Sequence, residues 1–574
     1  MKTNILLMVI VYILNAGIIE LQPIIVETNY GNNNITQKEM VYNEIIIQET
    51  TPGFRNPIIQ GLQGDKLGIV LNGIKYDNAL FRGGPNQYYS WIPQEFIQSI
   101  VLDDSLMKRS SAATIGATIG LTAGIDKNEV GITFDSKNNG YSEYLKYKNL
   151  DVQIGLSTTK TSNLVTPNGE IEHTSYNQNG VLLAFPKKMN TILIYSESDD
   201  IDRTDKFEKG DYYVYDIQRY LKISQEYNFD NGLEIISSIQ HSREVVDRQS
   251  SKSVSSLDNN YGMNITHIYN LNDTSYISTG LSNNFECIIV NDSSYNYNTM
   301  NVWIKYGVDH SYGTTDIRYM YSRMDIGKDI KKHLYNHSIY LHNTIDCVIP
   351  VDLFYFDFGT SFKFPTITNL AEAKDDSLDE IANPDLTQEK SINVEIGVVS
   401  DILEVKIYYK FLEDWIIRKQ TNILNGENDF KYKYENSDSG RLYGINLTID
   451  YKVESDIGVF VVGEYTNGRT EYGYISKLTP FHSKVKPYYK DIYVEWLYAP
   501  SVSESKMSVN DKTDTRIKNH NYGYSIFNLG YSKVIKKHKF RIVLDNVFDS
   551  IGRVYGSSTD FGERSISIDY SYRF

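Results

Sequence analysis

The chain has 574 residues, and 57 Lys and Arg against 72 Asp and Glu leave a formal net charge of −15. That acidic balance excludes sequence-independent nucleic-acid binding, which needs cations to neutralise phosphates. Tyrosine is abundant at 47, proline scarce at 13 and only 41% of residues are hydrophobic, which excludes a helical membrane protein and leaves two all-β readings. One is soluble; the other is a transmembrane barrel with a polar lumen and aromatic rims.

The first residues, Met1-Lys2-Thr3-Asn4, carry positive charge, and an unbroken apolar run follows from Ile5 to Leu14. Small residues Asn15-Ala16-Gly17 come next, so 1–17 reads as a cleaved secretory signal too short to anchor in a bilayer. No later stretch approaches the ~20 apolar residues of a spanning helix, so membrane residence after export requires strands. Gln22 to Asn29 (QPIIVETN) is short and favours extended backbone. Residues up to about 125 do not resemble barrel strands. Cys287 and Cys347 are the only cysteines; export permits a bridge, and a bridge and two free thiols stand equal.

Beyond 125 the dominant signal has period 2. Phe354, Phe356, Phe358, Phe362 and Phe364 share one face of 354–364, broken only by Thr360. Over 403–411, Leu403, Val405, Ile407, Tyr409 and Phe411 alternate with Glu404, Lys406, Tyr408 and Lys410. Tyr443, Ile445, Leu447, Ile449, Tyr451 and Val453 form another such face. The C-terminus repeats it with Ile566, Ile568, Tyr570, Tyr572 and Phe574. Alternate side chains of a strand face opposite sides, and nine to eleven tilted residues cross a hydrocarbon core, whereas soluble strands are mostly ~5–6 residues. The hydrophilic stretches Ser196 to Asp211 and Ser501 to Asn521 suit long extracellular loops, and Asn231-Gly232 suits a tight turn.

Several motifs then occur in order. Thr51-Pro52-Gly53-Phe54 is similar to a "PGV" turn, and Gly61 to Lys66 followed by Leu67 to Asn78 to an "RGLxGxxxLVLxDGxRLNN" hairpin. Phe81 to Tyr88 (FRGGPNQY), Ile92 to Leu102 (IPQEFIQSIVL) and Ser110 to Thr122 stand where a plug domain has an apical loop, "PxxIERIEVL" and "GSxAxGGVINI". Downstream, Phe364-Pro365-Thr366, Asn383 to Ser391 (NPDLTQEKS) and Glu395-Ile396-Gly397 resemble "FRAPTxxEL…NPxLxPEKSxxxEIG". Thr479 to His482 is similar to a "PxH" turn, and Leu544 to Asp549 to "xxNLFD". Together they resemble a TonB-dependent outer-membrane receptor. Two positions depart from the family: Gln60 replaces the arginine before the plug's "GL", and Asp103-Asp104 replace an Arg-Gly. Arg–Glu pairs clamp plug to barrel in this family, so the resemblance implies a rewired or weaker clamp.

The resemblance implies an all-β transmembrane barrel of about 22 antiparallel strands with an N-terminal α+β plug in its lumen. Its expected divisions are a signal at 1–17, a TonB-box segment at 18–30, a plug at 31–125 and the barrel at 126–574. The TonB box falls on Ile24, Ile25, Val26, Glu27 and Thr28, which would bind TonB by adding a strand to its sheet. Phe81, Arg82, Asn86, Gln87, Tyr88 and Tyr89 are the expected ligand contacts at the plug apex. Asp199, Asp200, Asp202, Asp205 and Asp211 are candidate calcium ligands, with a charged solvated loop as the plainer reading. The implied function is energised uptake of an iron–siderophore, cobalamin or similar scarce ligand through the cell outer membrane; a surface binding or adhesion protein, or a passive pore, is the alternative. Haem is disfavoured because 367–382 holds no histidine. Expected partners are TonB, the ligand, outer-membrane lipid and the barrel-assembly machinery, with no nucleic acid. No catalytic residues are expected: GxxxxGK[ST] and GxSxG are both absent.

Overall fold

A computed structural model describes residues 46–574 apart from 52–53, 77–79, 81–89, 104–113, 188–189, 205–212, 249–253, 292, 329, 347–352, 372–379, 425–429 and 455. The alternating segments pair in sequence order into a closed antiparallel wall of 22 strands. It closes where the final strand, Ser565–Arg573, pairs with the first wall strand, Glu129–Asp135, in register from Arg573↔Glu129 to Ser567↔Asp135. Full closure removes the unpaired edge that lipid cannot solvate. Connections at the end bearing Phe574 are short, as at 229–232, 400–402 and 536–537, while 364–388, 500–523 and 546–564 are long connections at the other end. Short turns mark the periplasmic end of outer-membrane barrels and long loops the extracellular end.

The apolar faces point outward. Ile407, Phe411, Ile445, Ile566 and Ile568 are exposed, while Lys406, Tyr408, Lys410 and Asn446 on the opposite faces are buried in the lumen. β-Branched and aromatic side chains suit this pleated surface, and lipid replaces the second layer a soluble sheet would need. Cys287 is a free thiol; Cys347 lies outside the described residues.

Two expectations are corrected. The hydrophilic stretch beginning at Ser196 is not all loop: strand Thr191–Asp202 runs through its first seven residues. Wall strands are long, reaching 25 residues in Phe430–Glu454, and about ten suffice to cross the hydrocarbon, so their outer ends stand in water. There a hydrophilic outer face is free of penalty, and Glu197 pairs with Arg219 of the next strand at 2.7 Å. The phenylalanine face of 354–364 is not continuous either. Phe358 is exposed, but pairing with strand Lys332–Asp346 ends at Gly359, and Phe362 and Phe364 are buried.

Two small sheets fill the lumen. The first comprises β1 (Ile46–Thr51), β2 (Phe54–Ile59) and β3 (Leu62–Gln63). The second comprises β4 (Gly68–Leu71), β5 (Ile74–Lys75), β6 (Ile97–Asp103) and β7 (Thr118–Ala123), in the order β5-β4-β7-β6 with β4 and β7 parallel. Both tight hairpins use left-handed pairs, Gln60 and Gly61 at φ 50° and 67°, and Asn72 and Gly73 at φ 48° and 78°. Such pairs match the natural twist of two-residue hairpins. Ile59, Leu71, Phe96, Ile115, Ile119 and Ile125 make a plug core that continues into the wall residues Leu182, Ile194, Leu412 and Leu442. The plug therefore shares its hydrophobic core with the barrel.

Candidate functional site

The turn between the two sheets, Gly64–Lys66, carries adjacent opposite charges. Lys66 Nζ lies 2.5 Å from Glu389 Oε1, and Lys363 Nζ lies 2.7 Å from Asp65 Oδ2. The wall partners come from strands Leu353–Lys363 and Glu389–Val399, whose register opposes Lys363 and Glu389 directly. The four side chains form an alternating square, each 11% exposed or less. Glu389 also accepts the backbone N–H of Ile416 at 2.7 Å. Lys66 stands 4.5 Å above the Trp415 ring, and such a desolvated cation–π contact is worth about 2 kcal/mol. Burial pushes the Asp65 carboxyl up, but the Lys363 and Lys66 ammonium groups outweigh it and hold it below its ordinary range. Burial pushes Lys66 down, and Asp65 and Glu389 reverse that to leave it raised. Gln60, at the position of the family's arginine, is wholly buried and its side-chain amide makes no hydrogen bond. The clamp has thus moved to Asp65 and Lys66.

Trp415 was not legible in the sequence. Alternation puts it on the lipid-facing odd face with Tyr409 and Phe411, yet it is buried in the lumen. Asp414, at φ 54°, turns the strand there.

The first sheet is held from above. Ser558 N donates to Glu49 O at 2.8 Å, Glu49 N to Ser557 Oγ at 3.0 Å, and Gln63 Nε2 to Lys477 O at 3.2 Å. These partners lie on the outer loops 546–564 and 471–480. A third loop, 500–523, ties them together: Asp511 accepts from Ser476 Oγ at 2.6 Å, from Lys477 N at 3.0 Å and from the Tyr555 hydroxyl at 3.1 Å. Burial raises Asp514, but Arg516 and Lys477 outweigh it and hold it far below the carboxylate range. Burial and Arg516 together push Lys477 down to about 8.

Above the plug, the outer ends of the wall strands converge as an aromatic cluster that includes Tyr213, Tyr215, Tyr295, Tyr297, Met324 and Phe364. Leu80 of the plug is buried in it. Residues 81–89 fall outside the described residues, and with them the predicted contacts Phe81, Arg82, Asn86, Gln87, Tyr88 and Tyr89. Their flanks are fixed in the lumen: Gln178 Nε2 donates to Ser90 O at 2.6 Å, and Ser196 Oγ to Trp91 O. Ile24, Ile25, Val26, Glu27 and Thr28 also lie outside the described residues, as do Asp205 and Asp211. Asp199, Asp200 and Asp202 sit on the strand Thr191–Asp202 rather than in a loop, and Asp202 is engaged by His173 Nδ1 at 2.6 Å. Among the described residues no group of three metal-ligating side chains gathers.

A closed wall with polar lumen, lipid-facing belt and seated plug defines a plugged outer-membrane β-barrel. Residues 348–570 match the family described as "TonB dependent receptor-like, beta-barrel", and the fold is that of a plugged outer-membrane barrel of this kind. No curated protein sequence matches it. Among solved structures it is similar to the copper transporter OprC, with 12% identity, TM-score 0.74 and coverage of 93% of this chain and 96% of that one. It is also similar to the FrpB iron transporter from Neisseria meningitidis, F3-3 variant, with 11% identity, TM-score 0.75 and coverage of 94% and 96%. The siderophore receptor PirA from Acinetobacter baumannii gives 12% identity, TM-score 0.67 and coverage of 93% and 95%. At such identities these likenesses concern the fold.

Proposed function

We propose that the chain takes up a scarce metal-bearing ligand, such as an iron–siderophore, by TonB-driven movement of its plug. The observation that carries this reading is a plug wedged in the lumen by a buried ion square, which opposes a passive pore. The names of the similar structures, an iron transporter, a copper transporter and a siderophore receptor, support a metal-bearing cargo over cobalamin.

In this reading the ligand meets the aromatic cluster and the apex residues Phe81, Arg82, Asn86, Gln87, Tyr88 and Tyr89. Aromatic faces and amide edges suit a chelate with both π surface and polar rim. TonB takes the segment Ile24 to Thr28 as an added strand, and tension passes down the chain to β1 first. β1 is bonded through Glu49 to Ser557 and Ser558, so the same pull loosens the outer loops and the first sheet together. The ion square holds β4–β7 until later.

Deletion of residues 24–28 is the test. Cells carrying the deletion should retain surface binding yet lose accumulation of iron-55 or copper-64 under metal limitation. Unchanged accumulation would remove the energised reading and favour a binding or adhesion role, which shares this geometry.

A further inference from the structure

On the outer surface, strands Leu403–Leu424, Phe430–Glu454, Ile457–Thr470 and Gly473–Tyr474 lie side by side. Their outward side chains fall in rows. Ile445, Leu447 and Ile449 fill a belt bounded by Tyr443 toward the extracellular end and Tyr451 toward the periplasmic end. Tyrosine girdles of this kind mark the two membrane interfaces, with the rings at headgroup level. Tyr443 stacks on Tyr409 with ring centres 5.8 Å apart, and Tyr409 meets Phe411 at 4.5 Å, so the extracellular girdle runs across the first two strands.

The next row outward is Phe411, Arg441, Arg469 and Tyr474. Both arginines are exposed, and the ladder sets them directly opposite each other. Like charges opposed in this way are destabilising, and the row supplies no counter-ion. Arg469 lies 4.0 Å over the Tyr474 ring and donates to its hydroxyl. Among the described residues neither arginine forms an ion pair. Asp414 is held by Lys390 at 3.3 Å, and Glu471 accepts from Ser437 Oγ and the Asp438 N–H. Glu413, one row further out and opposite Ser439, is a single carboxylate against two guanidinium groups. Elsewhere the wall resolves the same conflict internally. Arg219 and Arg243 are also opposed, but Glu197 stands next in that row and takes Arg219 at 2.7 Å.

We infer that Arg441 and Arg469 bind the phosphate of an outer-leaflet lipid headgroup, with the lipid's chains lying along the belt beneath. Position sets the occupant: the pair stands one row beyond the girdle, at the height of the headgroups. Guanidinium forks match phosphate oxygens bidentately, and two of them can bracket one phosphate. This site does not depend on which ligand the barrel carries or on whether transport is energised.

The test uses the full chain in an uncharged detergent, titrated with a phosphatidic acid and followed by native mass spectrometry. R441Q/R469Q should bind that lipid at least about tenfold more weakly. R219Q/R243Q removes the same charge and should bind like the unaltered chain. If R441Q/R469Q does not fold, R441K/R469K keeps the charge, loses the forks and should still bind more weakly than the unaltered chain. Unchanged binding in the variants of Arg441 and Arg469, or equal weakening in R219Q/R243Q, would overturn the proposal. So would displacement of the lipid by an equal concentration of inorganic phosphate, which would mean a site for the free ion.

Discussion

Sheet β1–β3 meets the outer loops mainly through backbone groups and neutral side chains, with Glu49, Ser557 and Ser558 at the centre. Sheet β4–β7 adjoins the ion square that the preceding turn makes with Lys363 and Glu389. Backbone bonds of the first kind contribute about 1 kcal/mol each and are replaced by water once exposed. A buried ion square behaves differently: it adds little over apolar packing while intact, yet losing one member strands its partner. The first sheet is therefore built to give way gradually under load, and the second to hold until it releases as a unit.

The largest contrast should come from the square. K66M or E389Q leaves a buried charge unpaired and should weaken plug seating by about 3–5 kcal/mol, read as faster hydrogen exchange in β4 and β7. The double replacement should recover much of that loss; a loss equal to the sum of the two single losses would mean the two groups are not coupled. Next in size is D511N, which replaces one of the two acceptor oxygens joining three outer loops with an amide donor and should cost about 1–3 kcal/mol. Its exchange signature should appear in β1 and 546–564 and leave β4 and β7 unchanged.

Acid should reach the second sheet through Asp65. Asp65 is depressed in the folded protein, so its stabilisation is complete above its ordinary value of 3.8 and fades as pH falls through the lower folded value. Protection in β4 and β7, corrected for the intrinsic pH dependence of amide exchange, should stay flat from neutrality to about pH 4 and fall below it; a fall around pH 6 would implicate another group. The smallest effect belongs to R219A. Its exposed pair with Glu197 lies on the outer face beyond the membrane, where solvent screens it, and its loss should change neither sheet.

The barrel was legible because alternation and length both report a lipid-facing wall, and strands such as Leu403–Leu424 and Ser565–Arg573 follow it. The hairpin at Asn72-Gly73 was reached through the motif resemblance of Leu67 to Asn78, and its left-handed pair is found there. The square was half visible. Asp65, Lys66 and Glu389 lie in recognisable motifs, but Lys66 and Glu389 are 323 positions apart, and nothing local pairs them. Two places depart from the pattern for different reasons. Composition distinguished lipid from water, yet strand ends standing beyond the bilayer meet water while remaining strands, so Ser196 to Asp202 looked like loop. At Trp415 the parity rule failed because one left-handed residue, Asp414, changes which face a side chain takes.

The central claim is that the plug seals the bore, and ion conductance tests it most directly. In planar bilayers the intact chain should show little conductance, whereas a variant lacking residues 46–125 should open large, stable pores. An intact chain that conducts as freely as that variant would contradict the account.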